Sequence, residues 1–158
     1  MNEGVDRAAN ETAMNDLIHH EFTTGFPGGW EDRTEVILVG PMRDGSRPTL
    51  TVARMTLKSP QTLAQFAAFQ RHGLSELSGV KDTDIVEEGE TTLAGVEAYT
   101  RVYHTRFVDR MLTQRQVYAI RGQTAYVITE TSAKEHYADN RPTFDEIMKR
   151  FQFRLPAP

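Results

Sequence analysis

His19, His20 and Glu21 follow one another in the chain and are residue types that bind metal ions. On a strand, His19 and Glu21 would share one face while His20 would point to the other, so only two ligands would converge. A protein zinc site needs at least three protein ligands. A third would have to come from a distant histidine. The sequence therefore favours a solvent-facing pair, and we predict no metal and no other cofactor.

Groups suited to acid–base or nucleophilic catalysis show no catalytic spacing. Ser46, Ser59 and Ser132 lie in predicted turns and helix starts, outside any Gly-x-Ser-x-Gly pattern. The acidic run between residues 82 and 90 is typical of a solvated surface. Gly28-Gly29 is too short to hold a phosphate, and the absence of cysteine excludes thiolate catalysis, disulfides and sulfur-ligated metal. We therefore predict that the protein is not an enzyme.

The strand-like segment 111–120 offers recognition chemistry. Alternation places Leu112, Gln114 and Gln116 on one face, together with two further apolar residues. Amides flanked by apolar groups give a surface that is apolar but retains hydrogen-bond donors and acceptors. Such a surface is either a solvated face or a groove for an apolar partner whose polar atoms the amides satisfy. The residue pattern leaves both interpretations open.

The bulk properties are those of one globular domain. The chain has 158 residues and a formal net charge of −4, which gives no basic surface for nucleic acid. It shows neither a secretory signal nor a run of roughly 20 apolar residues, so we predict a cytoplasmic protein that does not insert into membranes. We expect a flexible leader over residues 1–16, a single domain over 17–154 and a frayed tail over 155–158.

Strands and helices follow from the spacing of apolar residues. Segments 36–39, 49–57 and 96–131 show strand patterns, the last as three strands separated by short polar breaks. Segments 63–77 and 144–151 carry apolar residues three or four apart, which indicates two helices. Runs of adjacent strands favour an α+β fold in which an antiparallel sheet of about six strands packs both helices on one face. The other face would then be free for a partner.

Several segments in order resemble a known family. They are PGGWEDRT, EVILVGP, TLTVARMTL, QTLAQFAAFQ, EEGETTLAGVEAYTRVY, LTQRQVYAIRGQTAYVITET and RPTFDEIMKRFQF, spread over roughly residues 17 to 153. Together they resemble the DcrB-like family, which has a PsbP-like fold and includes the Eag chaperones of type VI secretion.

The resemblance implies a function. Eag chaperones are cytoplasmic homodimers that hold the transmembrane helices of a secreted effector in a groove of the sheet until the effector is loaded on the secretion spike protein. We therefore expect a homodimer whose partners are such hydrophobic helices and the spike. Carried over by position, the groove would be lined by Ile37, Val39, Leu50, Val52, Leu112, Gln114 and Gln116. A register slip of one residue would send each side chain to the opposite face.

The sequence differs from the Eag chaperones in two respects, and two alternative functions remain open. The leader and the Gly40–Pro48 loop are longer than in the chaperones, and Glu35 stands where they place an apolar residue. The first alternative is a generic adaptor of the same family that binds a soluble partner through sheet edge or loops, for example at Arg43 or Arg47. The second, weaker alternative is an enzyme or small-ligand binder with a pocket near Trp30.

Overall fold

The structure, a computed structural model, describes residues 14–18 and 23–154. The chain divides into two compact units, with the boundary after Arg33. The N-terminal unit contains an antiparallel hairpin of β1 (Met14–Ile18) and β2 (Thr23–Pro27). The sequence predicted a single domain from residue 17 onward, whereas the chain divides after Arg33. Residues 14–16, which were predicted to belong to the flexible leader, are part of β1.

Three other predictions concern residues that the structure does not describe. The His19-His20-Glu21 cluster, the first 13 residues of the leader and the tail from residue 155 lie outside the described residues.

The larger unit is built on one antiparallel sheet with the strand order β3-β4-β8-β7-β6-β5. The two hairpin turns of its central meander are short, and Gly122 in the second takes a positive φ of 58° that glycine adopts without strain. The predicted antiparallel sheet of six strands is confirmed. Its strands are β3 (Glu35–Val39), β4 (Thr49–Thr56), β5 (Ile85–Leu93), β6 (Val96–Phe107), β7 (Arg110–Arg121) and β8 (Thr124–Ala133).

Two helices complete the unit, α1 (Leu63–Ser78) and α2 (Tyr137–Arg150). Short 3-10 turns, Asp82–Asp84 and Lys134–His136, precede β5 and α2. Helix α1 starts at a capping box, in which Thr62 accepts from the Gln65 backbone N–H and the Gln65 side chain accepts from the Thr62 backbone N–H. It ends at Gly79 in the left-handed conformation.

The helices lie against opposite faces of the sheet, whereas one face was predicted for both. Val117 and Ala119 of β7 pack in a core cluster with Phe144 of α2. Tyr118 between them points the other way and packs with Phe66 of α1. Three consecutive buried residues on one strand require cover on both sides. We call the two sides of the sheet the α1 face and the α2 face.

Candidate functional site

The structure brings five of the seven predicted groove residues to one face and sends two to the other. Leu50 and Val52 of β4 lie on the α2 face, where Leu50 is 3% exposed in the core beneath α2. Their neighbours Thr49 and Thr51 take the α1 face, so the predicted β4 contribution is displaced by one residue. The α1 face carries the other predicted residues, Ile37, Val39, Leu112, Gln114 and Gln116.

These residues form two rows that cross four strands. One row runs from Gln116 of β7 through Thr129 of β8 and Thr51 of β4 to Ile37 of β3. The second runs two residues further along in the same way. We call the surface made by both rows and the adjoining leucine the open face. Its members are Ile37, Val39, Thr49, Thr51, Leu112, Gln114, Gln116, Thr129 and Thr131.

The open face changes in character from the centre of the sheet to its edge. The glutamines and threonines are partly exposed, whereas Ile37 and Val39 at the edge are 59% and 54% exposed. Helix α1 covers the other end of this face, where its core cluster includes Tyr118, Ala125 and Val127. A surface that passes from amide to hydroxyl to aliphatic therefore remains accessible across β7, β8, β4 and β3.

Buried tyrosines fix the orientation of both glutamine amides. Tyr103 donates from its hydroxyl to Gln114 Oε1 at 2.9 Å, and Tyr118 donates to Gln116 Oε1. On the other side, Gln114 Nε2 donates to Thr131 Oγ1 at 2.9 Å. Both amide oxygens are thus directed toward the tyrosines, and Gln114 keeps a second N–H for other acceptors. Burial raises the pKa of Tyr118 to about 12 and also raises that of Tyr103, so both hydroxyls stay protonated as donors.

Arg101 connects this amide arrangement to α1. Its guanidinium is 2% exposed and donates to the Ala67 carbonyl oxygen at 3.2 Å and to the Tyr118 hydroxyl at 3.3 Å. Its Nε donates to Glu88 at 3.0 Å. Burial raises the pKa of Glu88, but the hydrogen bond and charge of Arg101 lower it more, so the carboxylate remains ionised. The open face therefore rests on a hydrogen-bonded chain that runs back to the helix.

A surface depression of about 880 Å³ extends the open face at the end far from α1. It lies between the β3–β4 loop and the β6–β7 turn, and Thr49, Leu112 and Thr131 of the open face line it. Exposed Phe107 and Val108 lie on its rim. This end of the face is therefore concave and partly apolar.

Two arginines on the α2 face are each paired with a carboxylate. A depression of about 510 Å³ there is lined by residues that include Arg115, Arg141, Glu87 and Asp145. Arg115 lies 2.7 Å from Asp145, and Arg141 lies 3.3 Å from Glu87. Over residues 14–18 and 23–154, no three His, Asp or Glu side chains come together as a metal site would require. Trp30, near which the weaker of the two alternatives places a small-ligand pocket, is 71% exposed.

The fold of the protein is similar to that of several solved structures. A protein of unknown function from Pseudomonas aeruginosa, PA94, is similar at a TM-score of 0.73 and 20% identity, over 92% of this chain and 98% of that one. Cyanobacterial PsbP (CyanoP) from Synechocystis sp. PCC 6803 gives 0.53 and 11%, over 90% and 94%. LpqN of Mycobacterium tuberculosis, involved in cell envelope biogenesis, gives 0.51 and 13%, over 94% and 96%. The chain has a PsbP-like α+β fold.

A family model identifies the protein family to which the sequence belongs. The DcrB family model matches residues 21–150, so this protein belongs to the DcrB family, and the predicted family is confirmed. No functionally curated protein matches the sequence significantly. None of the helices in the described part of the chain is long and apolar enough to cross a membrane.

Proposed function

We propose that the protein is a non-enzymatic cytoplasmic chaperone or adaptor that shields hydrophobic helices of a type VI secretion effector on its open face. The observation that carries this proposal is the composition of that face. Oriented amides lie on β7, toward the centre of the sheet, and exposed aliphatic side chains lie on β3, at the edge of the sheet. The choice of partner follows the sequence resemblance described above, which the DcrB family match supports at the level of the family alone.

The chemistry of the face suits a hydrophobic helix that carries a few polar groups. Such a helix satisfies its own backbone hydrogen bonds and presents aliphatic side chains together with occasional hydroxyls or amides. Ile37 and Val39 are more than half exposed, so covering them would contribute about 1 kcal/mol each. The threonine methyls offer further apolar contact. The free N–H of Gln114 would satisfy a polar atom that aliphatic side chains would leave unpaired.

The test uses a substitution that changes charge but little else. Gln116→Glu keeps the oxygen that accepts from Tyr118 and the length of the side chain. It adds a negative charge, which is costly to cover with an apolar helix. Gln123→Glu makes the same change in the exposed β7–β8 turn and serves as the matched control.

The assay is a pull-down from the native cytoplasm with the tagged full-length protein, analysed by mass spectrometry. We expect recovery of one large effector that carries membrane helices and loss of recovery when those helices are deleted from it. Gln116→Glu should abolish recovery and Gln123→Glu should not. Equal recovery by both variants, or recovery of soluble partners alone, would contradict the proposal.

A generic adaptor that binds a soluble partner through loops or sheet edge is the second candidate. Arg47 in the β3–β4 loop is exposed, which favours this function, and LpqN, similar in fold, is involved in cell envelope biogenesis. For an adaptor of this kind, Arg47→Glu should abolish partner recovery while Gln116→Glu leaves it intact. The same pull-down therefore separates the two candidates.

A further inference from the structure

The β6–β7 hairpin ends in two exposed apolar residues. Strand β6 ends at Phe107 and β7 begins at Arg110, so the turn between them consists of Val108 and Asp109. Phe107 is 68% exposed and Val108 is 81% exposed. We call these two residues the apolar tip. Single exposed apolar side chains are common on protein surfaces, so the exposure of the tip decides nothing without further evidence.

The backbone of the turn provides that evidence. Val108 has a φ of +55°, in the left-handed region. The β7–β8 turn also has two residues, and its first residue has a φ of +58°, but that residue is Gly122. Glycine adopts this conformation without strain, whereas it is unfavourable for a β-branched residue. The chain therefore keeps valine at a position where glycine would relieve strain, which indicates a use for the side chain.

The tip projects beyond the strands on either side of the hairpin. The last two residue pairs of the hairpin, of which Phe107 with Arg110 is the outermost, lie beyond the residues that pair with β5 and with β8. At about 3.4 Å per residue, the tip extends roughly 7 Å past the last pair with β8. Apolar side chains that dock on a bilayer lie about 5–10 Å deep, at the boundary between headgroups and acyl chains. The projection of the tip is comparable to that depth.

Positive groups outnumber negative ones around the tip. Over the turn, its flanking residues and the adjoining depression they are Arg47, Arg106 and Arg110, against Asp109 and Glu135. The exposed Arg47 and Arg106 form no ion pair within the described part of the chain. Arg110 donates to a backbone carbonyl oxygen of the β3–β4 loop at 3.1 Å rather than to a carboxylate. In a chain whose net charge is −4, this local excess of positive charge favours an anionic surface as the partner of the tip.

We propose that the apolar tip docks on the surface of an anionic lipid bilayer. Phe107 and Val108 enter the interface between headgroups and acyl chains, and the three arginines lie at the level of the lipid phosphates. A bilayer deforms around a convex tip, whereas a protein partner would need a hollow of matching shape. Two apolar side chains and a few cations make a weak, reversible contact, and no spanning helix is required.

Binding is measured by co-sedimentation of the full-length protein with two kinds of vesicle. One is made of phosphatidylcholine alone, and the other contains about 30% phosphatidylglycerol, which supplies a negative surface charge. Phe107→Ser and Val108→Gly each remove an apolar side chain from the tip. Leu77→Ser, at an 89% exposed residue of α1, is the matched control. Urea unfolding of each variant reports its stability.

We expect the unsubstituted chain to bind the anionic vesicles, and to bind them less well as the salt concentration rises, because salt screens the arginines. Phe107→Ser and Val108→Gly should each lower the partition coefficient about tenfold, since each removes a side chain that the interface buries. Leu77→Ser should leave binding unchanged. Val108→Gly should also raise the urea midpoint, because glycine relieves the strained φ.

The opposite changes expected for Val108→Gly separate a docking role from a structural one, since a structural defect would lower binding and stability together. No binding of the unsubstituted chain to anionic vesicles would overturn the proposal, and so would equal binding to both kinds of vesicle. Unchanged binding of Val108→Gly, or a loss in Leu77→Ser as large as in Phe107→Ser, would do the same. Capture of a protein by the tip without vesicle binding would overturn it in favour of a protein partner.

The vesicles carry no effector, so the outcome is separable from that of the proposed function. Vesicle binding that depends on the tip, without recovery of an effector, would leave the docking surface standing and refute the chaperone. Recovery of an effector by a chain that binds no vesicles would refute the docking surface alone.

Discussion

Glu130→Gln removes one charge from a buried ion pair that supports the α2 face. Glu130 is 0% exposed, and its two carboxylate oxygens accept from Arg115 Nε at 2.5 Å and Nη2 at 2.7 Å. The remaining nitrogen, Nη1, lies 2.7 Å from Asp145 of α2. Burial lowers the pKa of Arg115, but its hydrogen bonds to both carboxylates raise it more, so the guanidinium stays charged.

The expected loss follows from leaving that guanidinium without its buried partner. Removing one member of a buried ion pair costs about 3–5 kcal/mol. Asp145 remains beside Arg115 and is half-exposed, so we expect the lower end, about 3 kcal/mol of unfolding free energy. In a domain of this size that corresponds to a fall of about 6–12 °C in Tm.

The assay is urea unfolding followed by far-UV circular dichroism, with the slope m compared between variants. A double variant, Arg115→Met with Glu130→Leu, replaces both charges by apolar groups of similar volume. We expect it to be more stable than Arg115→Met alone, because the single change leaves a buried carboxylate without its cation. This non-additivity is the signature of a coupled pair.

Glu146→Gln provides the control, because it breaks an exposed pair with Arg150 four residues along α2. That change should cost no more than about 0.5 kcal/mol. If Glu130→Gln costs no more than Glu146→Gln, the buried pair does not act as described. The same conclusion would follow if the losses of Arg115→Met and Glu130→Leu, each measured alone, simply add in the double variant.

Two further pairs of substitutions test local features. Gly79→Ala should lower the unfolding free energy measured in urea by about 1 kcal/mol, because φ is +63° at that position. Gly73→Ala within α1 should raise it by about 0.5–1 kcal/mol, since nothing lies within 4 Å of an added Cβ. Shifts of the same sign would contradict this account. Burial, then Lys134, lowers the pKa of His104 below 6.5, so the unfolded state binds its proton more readily. The stability contributed by neutral His104 is therefore complete above about pH 7 and is lost as pH falls through the lowered pKa of the folded state. His104→Gln should reduce that loss, whereas the control His72→Gln, at an exposed position, should not. Equal slopes of stability against pH for the two variants would refute this account.

The sequence predicted most of the fold because its signals are local. Alternating apolar residues and short polar breaks locate the strands of the meander, and apolar residues three or four apart locate both helices. The positions of the helices were harder to predict, although one signal was present. The run Val117-Tyr118-Ala119-Ile120 is apolar at consecutive positions, which is typical of a strand covered on both faces. Both helices were nevertheless predicted on one face, because the sheet was assumed to be covered on one side only.

The open face was predicted in part for a related reason. Residues of one strand that share a face follow from the period of two, so Leu112, Gln114 and Gln116 were grouped correctly. The pattern Thr49-Leu50-Thr51-Val52 equally separates two sets, but which set faces the core depends on where α2 packs. That is a contact between segments far apart in the chain. Choosing the apolar set for the groove placed Leu50 and Val52 on the wrong side.

The sequence by itself determined the strands, the helices, the family and the identity of the residues that share a face. The tertiary structure decided which face is open and how the glutamine amides are oriented. The bonds from Tyr103 and Tyr118 to the glutamines depend on how neighbouring strands pair and on burial beneath α1. Periodicity along a strand fixes alternation but not its sense, and only packing against the helices breaks that symmetry.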